Sequence, residues 1–286
     1  MRWIARTGIT AVAALAVACN QSTPTDPTPT STVSYTAIGA SDGIGFGSSV
    51  VCAPFDPDCP SGTGYVYLLK RRLQADGRTV SLQNLAVPGA VMSPAIQTLA
   101  HETGRDVFST FFDQSTVVLP ATTHLTVFAG GNDANVIAQA VRAGRGGADV
   151  RGFIDAQVNQ WQNDLHDLLR RVRQRAPSAR VVALNLPNLG AAPYVAGLPV
   201  LERSIMQRIA VSLTDRVNTL TSQNVVVIDL MCDARTYNSS LFSSDGFHPS
   251  DSGYALMAEL TYPALASNSA PSPSSSCAQR TLLPVF

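Results

Sequence analysis

The chain has 286 residues, 45% of them hydrophobic and 14% charged, so it can bury a full globular core and does not have the composition of a disordered polymer. Lys plus Arg and Asp plus Glu both number 20, for a formal net charge of zero. That balance excludes the long-range field on which binding to nucleic acid or to an anionic membrane surface depends.

Arg2 and Arg6 precede an apolar stretch from Gly8 to Ala18 that is short for a bilayer span and suits the core of a signal peptide. The tetrad Ala16, Val17, Ala18, Cys19 closes it. It resembles a bacterial lipobox, with Ala16 where Leu is usual, and so implies cleavage before Cys19 and lipidation of that residue. An ordinary signal peptide cut near the same place is the alternative, and both readings export the protein, to the periplasm or the cell surface. Residues 20–32 are rich in Ser, Thr and Pro, an extended spacer that cannot build a core. A single domain is expected over 33–266, followed by a Ser- and Pro-rich tail over 267–286.

Without Cys19, four cysteines remain, an even set that an oxidising compartment would pair. Three connectivities are possible. Proximity favours Cys52 with Cys59 across a short Pro-rich loop, which leaves Cys232 and Cys277 to pin the tail. No Cys or His lies at the close spacing of a structural zinc site, and Asp56 and Asp58 read as a solvated turn in preference to a calcium site.

Short apolar runs alternate with longer amphipathic ones through the domain. Strands are predicted at 35–39, 79–85, 125–129, 180–186 and 225–229, and helices at 64–75, 136–143, 154–175, 201–220 and 252–265. In the long helix, Ile154, Val158, Trp161, Leu165, Leu168, Leu169 and Val172 recur at helical spacing. Arg170, Arg171, Arg173 and Arg175 crowd its end, where cations suit the helix dipole. Strand-helix alternation implies right-handed crossovers and an α/β fold, a three-layer αβα sandwich with a five-stranded parallel sheet. Chemistry in such sheets collects at the carboxyl ends of the strands. The connection over 91–123 is long and carries Phe108, Phe111 and Phe112, which can wall a site as a lid or pack on the body.

Three predicted strands run into glycine turns at that edge. The first leads into Gly39-Ala40-Ser41-Asp42-Gly43, where small neighbours permit a sharp turn and an exposed hydroxyl. The second leads to Gly89, whose N–H can stabilise a developing oxyanion, and the third to Asn132, whose amide can do the same. Near the end, Asp245 stands three residues before His248. Serine is a poor nucleophile at neutral pH and needs an imidazole as base, and the carboxylate fixes that ring and stabilises its charged form. His101, His124 and His166 have no partner at ligand spacing.

Together these blocks resemble the SGNH hydrolases, or GDSL esterase and lipase family, from about Tyr35 to Leu265. Its name residues map in order onto Ser41, Gly89, Asn132 and His248, and Asp245 matches its D-x-x-H block. The resemblance implies a flavodoxin-like sheet and a catalytic triad of Ser41, His248 and Asp245. It also implies an oxyanion hole built from the N–H groups of Ser41 and Gly89 and the amide of Asn132, with no metal or cofactor. One departure stands out: the family's Gly-Asp-Ser has Ala40 in the acid's place and Asp42 after the serine, so a supporting bond within the turn is either missing or rerouted through Asp42. The expected activity is hydrolysis of small-molecule or glycan carboxylic esters through an acyl-serine. Alternatives on the same fold are carbohydrate or cell-wall O-deacetylation, acyl transfer, and a non-catalytic surface binding module.

Overall fold

The protein is described by a computed structural model over residues 31–286. Cys19, the predicted signal peptide and all but the last two residues of the spacer lie outside the described residues. The first strand, β1, spans Thr32–Ile38, starting one residue before the expected domain boundary. The others are β2 (Thr79–Asn84), β3 (His124–Phe128), β4 (Arg180–Leu184) and β5 (Val226–Ile228). All pair in parallel in the order β2-β1-β3-β4-β5.

Strands β1, β3, β4 and β5 are covered on both faces, their residues alternating between two apolar layers, whereas the edge strand β2 buries Leu82 in only one of them. Val33, Tyr35 and Ala37 of β1, with Val182 and Leu184 of β4, face α1 (Tyr65–Ala75) and α7 (Asp251–Ser267). Ile38, Leu125, Val127, Val181 and Ala183 belong to the opposite layer. That layer is roofed by α2 (Pro94–Glu102), α3 (Phe111–Thr116), α4 (Gly131–Arg142), α5 (Val150–Arg175) and α6 (Val200–Asn218). The entire stripe predicted on α5 is buried, with Trp161 at its centre. The arginines at its end are tied down locally: Arg170 and Arg171 to Asp167, Arg173 to the Gln223 carbonyl, and Arg175 to the Val118 carbonyl.

The segment 91–123 departs most from expectation, because it folds into α2 and α3 instead of one long connection. Pro94 starts α2 at a position where its missing N–H costs nothing, and Thr110 with Asp113 forms a capping box for α3. Both helices are short, so a 3.6-residue period barely registers in the sequence. Phe111 is buried, Phe112 packs on the body beneath the Arg171 guanidinium, and Phe108 is 90% exposed. None of the three lines the site described below, so these aromatics do not form its wall.

Two disulfides close, Cys52–Cys59 and Cys232–Cys277. They are the mark of an oxidising compartment. Among the described residues, no helix is long and apolar enough to cross a membrane. The tail after α7 runs back over α6, where the Gln279 and Leu283 carbonyls accept hydrogen bonds from Asn188 and Gln207.

The second disulfide spans 45 residues and the first only 7. In the chain-entropy account, replacing Cys232 and Cys277 by Ser costs about 4 kcal/mol, and replacing Cys52 and Cys59 about 2. Urea unfolding of the two double variants checks the order. Equal losses, or a larger loss from the short loop, would contradict it.

Candidate active site

The strand order reverses between β1 and β3, the switch point at which parallel sheets open a crevice at their carboxyl edge. Ser41 follows β1 there, as the first residue of a 3₁₀ turn, Ser41–Ile44. The turn is held from below. Asn84, ending β2, donates its amide to the Gly43 carbonyl at 2.8 Å, and Gln114 of α3 bonds both N–H and C=O of Gly39 at 3.0 and 2.9 Å. Gly43 is required by sterics, since a Cβ there would sit 2.3 Å from the Ala86 side chain. The carboxylate of Asp42 makes no hydrogen bond to another residue among those described, so Asp42 does not stand in for an acid at position 40. The turn is secured by Asn84 and Gln114 instead. Burial raises the pKa of Asp42, against the opposing pull of His248.

His248 sits on the loop before α7, its ring 4.7 Å from that of Phe46 and 4.9 Å from that of Phe247. Nε2 lies 2.8 Å from Ser41 Oγ, and Nδ1 lies 2.6 Å from Asp245 Oδ2. Oδ1 of Asp245 accepts from the backbone N–H groups of Phe247 and His248 and from the Ser243 hydroxyl, at 2.8, 2.9 and 2.8 Å. Burial by itself would raise the Asp245 carboxyl. The bonds from His248, the two backbone N–H groups and Ser243 outweigh it and hold the group well below the usual carboxylate range. The ring's tautomer follows: Nδ1 carries the proton toward the carboxylate, and Nε2 is left to accept from the serine.

Gly89 follows β2 with φ +79°, in a turn closed by the Ala90 N–H on the Val87 carbonyl. Among the described residues, neither its N–H nor that of Ser41 has an acceptor. Asn132 lies in the first turn of α4, whose N-cap Gly130 has φ +111° and packs so tightly that a Cβ would meet Leu186 at 2.9 Å. Its amide is fixed from both ends. Nδ2 donates to the Ala90 carbonyl at 3.0 Å, and Oδ1 accepts from Nη2 of Arg105 at 2.9 Å. That arrangement leaves the second N–H of the amide free. A pocket of about 390 Å³ gathers these groups, lined also by Phe46, Pro88, Asn135, Tyr194 and Phe247.

Two residues at this site escape sequence reasoning. Arg105, on the turn between α2 and α3, carries no motif. Asp133 is fully buried, and its Oδ1 accepts from the Met92 N–H at 2.8 Å. The indole N–H of Trp161 is close enough to lower its pKa but is not aligned as a bond, so Asp133 Oδ2 and Trp161 Nε1 both lack a partner among the described residues. Burial dominates and raises Asp133 to about 6. His101, His124 and His166 lie away from the pocket, and His124 is pushed down to about 4 by burial and by Arg180 and Arg78. No cluster of His, Cys, Asp and Glu able to hold a metal occurs among the described residues.

A hydroxyl, an imidazole and a carboxylate in one hydrogen-bonded row at the edge of a parallel sheet define the class of hydrolases that act by nucleophilic attack. Residues 40–256 match the model of the GDSL-like lipase/acylhydrolase family, and the chain belongs to that family. It is a serine-type carboxylic ester hydrolase. No curated protein matches the sequence. Three solved structures of similar fold are a lipase from a goat rumen metagenome, an extracellular lipase from Streptomyces rimosus and a variant of an acetyl xylan esterase from Geobacillus stearothermophilus. Their identities are 21%, 19% and 15%, and their TM-scores 0.56, 0.54 and 0.52. The matches cover 81%, 83% and 83% of this chain and 97%, 100% and 96% of those chains.

Asp133 generates a test. Its pKa is raised above the ordinary 3.8, so the folded state holds the proton more tightly than the unfolded one. The stability this contributes is present below pH 4 and lost as pH rises through about 6, a change of about 3 kcal/mol. Thermal melts of wild type and Asp133→Asn across that window should diverge, with the variant's profile the flatter. Parallel profiles would contradict the assignment.

Proposed function

We propose that this chain is an exported esterase that hydrolyses carboxylic esters through an acyl intermediate on Ser41, with His248 as base and Asp245 orienting it. The observation that carries this is the unbroken row of hydrogen bonds, 2.8 Å from serine to imidazole and 2.6 Å from imidazole to carboxylate.

In the proposed reaction, Nε2 of His248 takes the Ser41 proton as Oγ attacks the ester carbonyl. The carbonyl oxygen becomes an oxyanion, held by the N–H groups of Ser41 and Gly89 and by the free amide N–H of Asn132. Asp245, ionised through the working range, stabilises the imidazolium. The imidazolium then protonates the leaving alcohol as its C–O bond breaks. Water, activated by the same nitrogen, releases the acid. Arg105 acts as a positioning residue by holding Oδ1 of Asn132 so that the amide nitrogen faces the reaction.

Cleavage before Cys19, a lipid on that residue and a Ser-, Thr- and Pro-rich spacer ahead of β1 complete this reading as a tethered surface or periplasmic enzyme, and the two disulfides fit that compartment. A second reading, O-deacetylation of a glycan, is favoured by the small pocket, which seats a short acyl group better than a long chain. The acetyl xylan esterase of similar fold points the same way.

Ser41→Ala should reduce turnover of a p-nitrophenyl ester by on the order of a thousandfold or more. Asn132→Ala should lower kcat by roughly a hundred- to a thousandfold with KM little changed. Near-normal turnover by the Ser41 variant would refute the proposed nucleophile, and an effect confined to KM in the Asn132 variant would remove it from the oxyanion hole.

A further inference from the structure

Arg105 is the one charged side chain lining the pocket besides Asp245. It is half-buried, and among the described residues only one of its five N–H donors is engaged, by Asn132. No carboxylate lies at ion-pair distance from it among the described residues. The neighbouring charges leave its donors open: the Asp133 carboxyl is near enough to favour the cation through space but makes no bond to it. Asp133 lies buried beneath and is bonded to Met92, Asp106 faces His101 at 3.5 Å, and Arg142 adds a second cation on the Tyr194 side. The rest of the lining is apolar or neutral, with Phe46, Pro88 and Phe247 as its apolar members.

Burial costs this guanidinium part of its hydration, its remaining donors open onto the pocket, and its planar fork suits a carboxylate held through two bonds. Orientation is set by the reaction. The leaving alcohol must lie against Nε2 of His248, and the carbonyl oxygen against Gly89 and Asn132. Arg105 is tied to Asn132 and not to His248, so the substrate group within its reach belongs to the acyl portion.

We propose that Arg105 forms an anion subsite that selects esters whose acyl chain ends in a carboxylate. This deepens the esterase reading and rests on it. Monoesters of short dicarboxylic acids are the class that fits: an apolar stem against the aromatic walls, a charged end on the guanidinium, and the scissile bond at Ser41.

The test compares kcat/KM for the p-nitrophenyl monoester of adipic acid with that for p-nitrophenyl hexanoate, which share leaving group and chain length. Wild type should prefer the charged ester by on the order of tenfold or more. Arg105→Gln should bring the ratio to about unity or below, and Arg105→Lys should keep part of it, retaining the charge without the fork. Any slackening of Asn132 lowers both substrates alike and cancels in the ratio. A wild type without the preference, or a Gln variant that keeps it, overturns the subsite while leaving the esterase reading intact. Failure of wild type on both esters and on p-nitrophenyl acetate overturns the esterase reading itself. Should the Gln variant not fold, the wild-type preference and its shrinkage as NaCl is raised serve the same purpose.

Discussion

The site depends on one carboxylate. Asp245 accepts from an imidazole, two backbone N–H groups and a hydroxyl, and all four come from residues two or three positions away. The loop from Ser243 to His248 therefore folds around its own anion. Because the carboxylate stays charged, the imidazole is held in one tautomer and one orientation, and its other nitrogen meets Ser41. The rings of Phe46 and Phe247 confine it further. Serine, histidine and aspartate become a chemical unit because a local turn solves its own hydrogen-bonding problem.

The opposing half of the site is organised by a different device, buried polar side chains that hold loop ends. Asn84 and Gln114 secure the backbone on either side of Ser41, Asp133 fixes the chain just after Gly89 and Ala90, and Arg105 orients the Asn132 amide. Each bond would be worth only about 1 kcal/mol on a protein surface. In the interior, leaving one of these groups unpaired costs more, so the network defines a single geometry for the donors. Preorganisation of this kind is the source of oxyanion stabilisation, since nothing has to reorient as charge develops.

Much of this was legible in the sequence. The five strands and the long helices follow from apolar periodicity over runs long enough to show it, and α5 carries its whole buried stripe in plain view. The residues of the proposed triad and oxyanion hole are short-range motifs at strand ends, each marked by glycine or by the three-residue spacing of Asp245 and His248. The pairing of the cysteines was legible from proximity, because the shortest loop closes most readily. What stayed hidden lies in the segment between β2 and β3. Helices as short as α2 and α3 leave little periodic signal, and Arg105 is placed at the site by folding, through a bond to Asn132 that lies 27 positions along the chain. The phenylalanines suggested a lid by composition, whereas packing turns two of them into the body and leaves the pocket an arginine instead.

Ser41 is the proposed nucleophile, activated by His248 and Asp245. Mass mapping after treatment with a fluorophosphonate tests this most directly, since capture reports nucleophilicity at one atom without any assumption about the natural substrate. Stoichiometric labelling is expected on the peptide that contains Ser41, with loss of that labelling in His248→Ala. Absence of adduct in the folded wild type, or an adduct on another serine, would contradict it.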